Sequence, residues 1–487
     1  MQKLNTTTIS PSMLPARFVG IIRKISETAE EHGYDAYAVG GFTRDIILGR
    51  EPKDLDVMVD KNGAITPGIE FAKLLAQKYA LNELEVFEKF GTARLVIDGE
   101  PVEFIMPRKE YYMDNSRKPE TEIGSLKQDA MRRDFTINAL FLRLNQNQPE
   151  SLEILDLTES GIADLKNKII RVTDTSNADV IFTQDPLRIL RAVRQSMQFD
   201  FEIGPLTKVA MTRAAKTIRK ISTERIREEL ETILAGDKPS CAFRTLDEIN
   251  LLHEILPETE GSKSGQGFGK MLKTLDNTAP DNLILRIAAL FSETRDIHTA
   301  EVALKRLHFD NSLIRNVIVI LKHQHITCGN KMLSDADIRR LALDTGSQFE
   351  NILDLAEARS TCEQIASVRS GMAHCRTANP GCPAVINTEH FATTDSQDWL
   401  SYTNIPERCG LNNNTTCEII RRVEDLKAKG ELYITGEVLT GQEIMKHFGL
   451  PPGKEVARMK DLIREVQLEN PHISKDEALE LIEVFKK

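Results

Sequence analysis

The stretch Tyr37-Ala38-Val39-Gly40-Gly41-Phe42-Thr43-Arg44-Asp45, running on through Gly49 and Arg50 to Asp54-Leu55-Asp56-Val57-Met58-Val59, decides the fold. Tyr37–Val39 reads as a short buried strand that ends in two glycines. Gly40 and Gly41 let backbone N–H groups come close to a phosphate, and a helix starting there adds favourable partial charge for the anion. Asp54 and Asp56 stand two apart on a strand, so their carboxylates project from one face. That arrangement suits a shared Mg²⁺ site, with one ion carried by a triphosphate and another lowering the pKa of an attacking hydroxyl. Asp-x-Asp alone is a common surface alternation. The preceding Gly40-Gly41-x-x-Arg44-Asp45 and the strand–helix–strand frame give it chemical meaning. Glu103, in Val102-Glu103-Phe104-Ile105, is the candidate third carboxylate from a neighbouring strand.

Outward from this stretch, Phe18, Val19, Ile21, Ile22, Ile25 and Ala29 recur at helical spacing, with Gly33 placed to stop the helix. Strand-like segments follow near 55–59, 84–87, 94–97 and 102–105, so residues 35–145 read as mixed α/β. Beyond about Asp179 helical periodicity dominates. The whole chain has 487 residues, 41% hydrophobic and 28% charged, which predicts about three or four domains and excludes a disordered chain. No apolar run approaches the ~18–20 residues of a membrane helix. The polar start from Met1 to Pro15 does not resemble a secretory signal. Seven cysteines in so long a chain do not make a disulfide framework, so a reducing cytoplasm is expected. The net charge of −10 argues weakly against a chain coated in nucleic acid.

Two further clusters argue the other way. Arg132-Arg133-Asp134-Phe135-Thr136-Ile137-Asn138 places a basic pair near a triphosphate, with Asp134 and Asn138 able to hydrogen-bond a ribose hydroxyl. Phe182-Thr183-Gln184-Asp185-Pro186-Leu187-Arg188 then leads into Arg191 and Arg194. These arginines step by three along a helix whose Leu187, Leu190 and Val193 pack on the other side. A basic row is often only a solvated face, but a carboxylate beside a guanidinium also reads bases. Cytosine and adenine present an amino donor next to a ring-nitrogen acceptor, so Asp185 can accept while Arg188 donates. Uracil and guanine present the reverse. Base-edge contacts of this kind discriminate by about 1–3 kcal/mol.

Over roughly residues 35–235 the chain resembles the class II tRNA nucleotidyltransferases and their bacterial poly(A) polymerase relatives, within the polymerase-β-type nucleotidyltransferase superfamily. The resemblance implies an α+β protein whose catalytic head is a five-stranded mixed sheet with helices, followed by an all-helical neck, body and tail. It also implies nucleotide addition to an RNA 3′ end. Catalysis would fall to Asp54, Asp56 and Glu103, with Mg²⁺ held by the two aspartates. Nucleotide binding would fall to Gly40, Gly41, Arg44, Arg133, Asp134, Asn138, Asp185, Arg188, Arg191 and Arg194. Gln184 stands where the family usually has Glu, and base selection is expected to survive because Asp185 and Arg188 carry the base contacts.

The polar segment from Arg108 to Asp129 resembles the flexible loop of CCA-adding and A-adding enzymes, with Asp114 and Arg117 as its acidic–basic pair. Its presence argues against a CC-only enzyme, and Val59-Asp60-Lys61-Asn62-Gly63 does not match the stretch that marks poly(A) polymerases. CCA addition to the tRNA 3′ acceptor end from CTP and ATP is therefore the expected activity, followed by A-addition and then poly(A) synthesis. An aminoglycoside-type nucleotidyltransferase would need neither a basic neck nor an Asp185/Arg188 reader, and an RNA-binding pseudoenzyme would not need the carboxylates. Ser292-Glu293 stands where bacterial relatives carry His-Asp, so a hydrolase site there is not expected.

Ten Lys/Arg against four Asp/Glu between Asp185 and Arg227 give the neck a local basic excess. Arg219, Lys220 and Arg225 are its candidate RNA contacts, tracking phosphates without reading sequence. Lys454, after Gly449-Leu450-Pro451-Pro452-Gly453, is either a further phosphate contact or simply part of a tight turn. The expected layout is a head over 1–145, a neck over 146–235, a body over 236–369, an irregular Cys-containing insertion over 370–414 and a tRNA-binding tail over 415–487. The insertion lacks Cys-x-x-Cys spacing, so free thiols are expected there rather than zinc. The sequence names no protein partner.

Overall fold

The computed structural model describes residues 5–111, 120–145, 151–260, 266–294, 296–325, 333–360, 415–434 and 436–486. They form two compact units, Met1–Gly236 with Cys241–Pro257, and Asp237–Ser240 with Glu258–Lys487.

The first unit is built on one sheet. Its strands are β1 (Asn5–Ile9), β2 (Asp35–Val39), β3 (Leu55–Asp60), β4 (Leu84–Phe87), β5 (Thr92–Ile97), β6 (Glu100–Ile105), β9 (Leu140–Arg143) and β10 (Leu152–Asp156). β7 (Arg108–Tyr111) and β8 (Glu120–Ile123) form a separate antiparallel pair. The order across the sheet is β1-β10-β9-β2-β3-β6-β5-β4. β3 and β6 run parallel and every other neighbouring pair runs antiparallel. The sheet is mixed, as expected, but it has eight strands rather than five. The extra edge comes from β1, whose Thr6, Thr7 and Thr8 pair with Leu155, Ile154 and Glu153. A polar run of β-branched residues carries no hydrophobic alternation, yet it suits an edge strand. Strand β10 also carries the sheet past residue 145, into the stretch assigned to the neck.

The first-unit helices are α1 (Ala16–His32), α2 (Gly41–Ile47), α3 (Pro67–Lys78), α4 (Leu126–Arg132), α5 (Gly161–Lys166), α6 (Ala178–Gln184), α7 (Leu187–Phe199), α8 (Pro205–Ala214) and α9 (Thr223–Leu234). In α1 Phe18, Ile21, Ile22, Ile25 and Ala29 of the expected stripe are buried, while Val19 is exposed. Gly33 ends that helix at φ +66°, donating its N–H to the carbonyls of Ala29 and Glu30. Helix α3 packs on β3, β5 and β6, its Phe71 ring 5.6 Å from that of Phe104. This apolar face holds the strand carrying Asp56 in place, each large side chain contributing roughly 1.5–3 kcal/mol.

The second unit is helical among its described residues. One core cluster gathers Ile338, Ala342, Phe349, Leu353, Ile419, Val423, Leu426 and Leu432. Another gathers Leu439, Ile444, Val456, Met459, Ile463, Ile473, Ala478 and Ile482. Arg339, only 4% exposed, donates to the carbonyls of Glu431 and Leu468 and to the Glu431 carboxylate. Ser292 caps its own helix by donating to the Ala289 carbonyl, while Glu293 pairs with Arg359 at 3.2 Å. An ion pair thus stands where a His-Asp metal site would need free ligands. No helix among the described residues is long and apolar enough to cross a membrane.

Candidate active site

Strand β2 ends at Val39, and the chain turns into α2 through Gly40, whose φ of +69° and ψ of −131° are open in practice only to glycine. A Cβ on Gly40 would lie 3.4 Å from an Arg133 guanidinium nitrogen and 3.9 Å from an Asp56 oxygen. The tight turn therefore brings the glycine pair, the Arg133 guanidinium and the Asp56 carboxylate together. All of them line a cavity of about 710 Å³. Asp54, Arg44, Asp134, Asn138, Asp185, Arg188, Arg191 and Arg194 line the same cavity.

Asp54 immediately precedes β3, and Asp56 lies within it, in register with Val39 on one side and Glu103 on the other. Burial pushes the Asp56 carboxyl up to about 6; the charges of Glu103 and Asp54 add to the rise and Arg133 opposes it. Crowded carboxylates of this kind suit a hard divalent cation, which takes oxygen ligands. Mg²⁺ commonly takes one or two protein carboxylates and leaves its other positions to phosphates and water. Asp54 and Asp56 fit that pattern as a pair. Among the described residues no group of three or more His, Cys, Asp or Glu side chains converges to hold an ion alone. Glu103 is exposed on β6 and does not line the cavity, although its charge reaches Asp56.

Asp134 is nearly buried and its carboxylate is taken up by protein donors. Arg191 gives Oδ2 two bonds of 2.9 and 2.6 Å, and Asn138 Nδ2 gives Oδ1 one of 2.9 Å. Burial alone would raise this carboxyl, but Arg191, Asn138 and Arg188 together hold it below the usual carboxylate range. Asn138 also donates to Gln195 and accepts from Arg44 at 2.8 Å. Asp134 and Asn138 thus fasten α7 to the catalytic turn. Arg133 is held from below by Asp129, whose buried carboxylate also binds Arg132.

At the start of α7, Asp185 and Arg188 stand 3.8 Å apart, 30% and 13% exposed. Arg188 Nη2 also donates to the Arg132 carbonyl, fixing the plane of its guanidinium. The three arginines of α7 face the cavity while Leu187, Leu190 and Val193 are buried, as the periodicity predicts. Gln184 is exposed and outside the cavity lining.

Several residues that shape the site escape sequence reading. Glu229 on α9 accepts from Arg194 at 2.6 Å and stands 3.9 Å from Arg191. Nothing near it in sequence marks it among its neighbours Glu228 and Glu231. Asp129 was missed as well, although its place three and four residues before the arginines it holds was a signal that could have found it. Gln195 and Phe199 lie on the same helix as the reader, beyond the basic row.

The basic neck is less free than its composition implies. Arg219 pairs with the buried Glu254 at 2.6 Å, and Arg213 pairs with Asp179. Lys216, Lys220 and Arg225 remain exposed. Lys454 is the exposed first residue of the helix Lys454–Glu469 in the second unit. Asp114, Arg117 and the stretch 370–414 lie outside the described residues. Among the described cysteines, Cys241 is a free, exposed thiol.

A mixed sheet with an aspartate pair at one strand's start, glycines in the adjoining turn and a helix of arginines facing them defines a polymerase-β-type nucleotidyltransferase head. Residues 36–171 match the family model of the poly A polymerase head domain. Residues 200–262 match that of the probable RNA and SrmB-binding site of polymerase A. The chain is 30% identical over 318 residues to the CCA-adding enzyme of Pediococcus pentosaceus, covering 62% of this chain and 71% of that protein. It is 34% identical over 248 residues to the A-adding tRNA nucleotidyltransferase of Geobacter sulfurreducens, covering 50% of this chain and 27% of that one. The Thermotoga maritima CCA-adding enzyme complexed with tRNA shares the fold over the full length of both chains, with a TM-score of 0.64 at 18% identity. The chain belongs to the class II tRNA nucleotidyltransferase and poly(A) polymerase family. It spans about a quarter of the length of the A-adding relatives and about half of several CCA-adding ones.

Proposed function

We propose that this protein adds C, C and A to the 3′ acceptor end of tRNA from CTP and ATP, without a nucleic-acid template, in a reducing cytoplasm. One cavity joins the aspartate pair to the Asp185/Arg188 pair, and that observation carries the reading. Asp185 accepts from the amino group of C or A, and Arg188 donates to the adjoining ring nitrogen. Gly40, Gly41, Arg44 and Arg133 face the triphosphate. Arg191 and Arg194 each keep donors beyond those given to Asp134 and Glu229, since a guanidinium has five N–H groups. Asp54 and Asp56 would hold the divalent ion, Mg²⁺ by the chemistry of their oxygens, and when bound it would supply a lower pKa for the attacking hydroxyl and offset phosphate charge. The RNA 3′ hydroxyl gives up its proton to solvent as its oxygen bonds to the α-phosphorus, and the bond from that phosphorus to pyrophosphate breaks. Glu103 acts from beside Asp56 through its charge. Lys220 and Arg225 offer exposed cations to the acceptor stem, Arg219 is already held by Glu254, and Lys454 is a separate exposed cation for RNA phosphate in the second unit.

The test supplies tRNAs ending at the discriminator base, at -C and at -CC with CTP, ATP or both, and sequences the products. Complete CCA on the shortest substrate is expected. Extension of the -CC substrate alone would overturn the reading in favour of A-addition, the activity of the Geobacter relative. Long A tracts would favour poly(A) synthesis.

A further inference from the structure

The far end of α7 carries a contact that base reading does not explain. Phe199, the last residue of the helix and only 4% exposed, lies under two guanidinium groups from the catalytic segment. The Arg44 guanidinium carbon is 4.4 Å from the ring centroid and that of Arg50 is 5.0 Å. Arg50 also donates to the Gln198 carbonyl at 3.3 Å. Arg44 is held at its edges by Asp45 at 2.8 Å and by Asn138. Those bonds hold the edges of the guanidinium, and the Phe199 ring covers its face. All of these residues line the cavity.

We infer that Phe199 is a positioning residue that sets Arg44 for the triphosphate, so that α7 fixes both ends of the bound nucleotide. The helix reads the base at its first turn, through Arg188, and orients the phosphate grip at its last residue. Eleven residues separate the two, a rise of about 16 Å at ~1.5 Å per residue. A rigid rod of that length sets one spacing between base and phosphates. It thereby favours nucleoside triphosphates over shorter phosphate chains, whichever of the two accepted bases is present. The inference rests on the nucleotide-binding reading of the same cavity.

Calorimetric binding of CTP, ATP and CMP to the full-length protein tests it, with Phe199→Leu and Phe199→Tyr beside the wild type. A cation–ring contact of this depth supports about a tenfold change in affinity. Phe199→Leu is expected to weaken CTP and ATP about tenfold each while leaving CMP unchanged, and Phe199→Tyr, which keeps the ring face, to restore both. Equal loss for CTP and CMP would overturn the inference, since it would mean that the helix had merely shifted. So would wild-type CTP affinity in Phe199→Leu. A wild type that binds neither CTP nor ATP would sink the proposed function instead.

Discussion

Asp56 stands on β3 between Val39 and Glu103, and its environment makes it expensive to ionise without a counter-charge. Its carboxyl is pushed from the usual 3.8 up to about 6. The folded state thus holds this proton more tightly than the unfolded state does. The stability it contributes is present below pH 3.8 and is lost as the pH rises through about 6. Asp56→Asn, free of divalent metal, should therefore melt at a higher temperature than the wild type at pH 8, with the gap closing towards pH 4. The same variant should lose nucleotide transfer by a factor on the order of 100 or more, as removal of a metal ligand does. Scanning calorimetry in chelator at several pH values, with primer extension alongside, checks both. A melting gap that stays constant across that range would count against the crowded-carboxylate account. Asp54, Asp56 and the glycine turn were legible because strand alternation and a turn are local properties of the chain.

At the level of elements, α7 is the part on which the site depends. Its periodicity gave away the buried face and the basic row, but not what restrains the row. Arg191 is tied to Asp134, 57 residues earlier, and Arg194 to Glu229, 35 residues later. Hydrogen bonds over such separations leave no periodic trace. A charged hydrogen bond of this type contributes roughly 1.5–3 kcal/mol. Glu229→Gln should therefore raise the KM for CTP and for ATP about tenfold, with the preference for C and A over U and G retained. Steady-state kinetics with all four nucleotides reads this directly. Collapse of base preference in that variant would show that Glu229 holds the whole reader rather than its later turns. Strand β1 is the converse case. Its threonines lack hydrophobic alternation, and only pairing with β10 makes them a strand.

For the whole molecule, net charge proved a poor guide and its distribution the better one. The −10 total coexists with a basic row facing the cavity, in which Glu229 holds Arg194, while elsewhere in the neck Arg213 and Arg219 are paired with Asp179 and Glu254. In the second unit Arg339 ties the helix Asp335–Thr345 to Glu431 and to the end of Lys454–Glu469. Removing one partner of a buried pair costs about 3–5 kcal/mol. Arg339→Ala should lower the thermal midpoint of the second unit and speed proteolysis of its C-terminal helices, with CTP binding by the first unit unchanged. Limited proteolysis followed by mass spectrometry, with calorimetric CTP titration, measures both effects.

The mixed α/β head, the aspartate pair, the glycine turn and the arginine face of α7 all follow from local sequence. Each of these is written in spacings of two to four residues, the range over which strand and helix geometry fixes where side chains point. Tertiary structure alone decided the eighth strand of the sheet and the burial of Asp134 under Arg191. It also decided the restraint of Arg194 by Glu229 and the stacking of Arg44 on Phe199. These are meetings between distant segments, and they depend on how elements pack rather than on the pattern within any one of them.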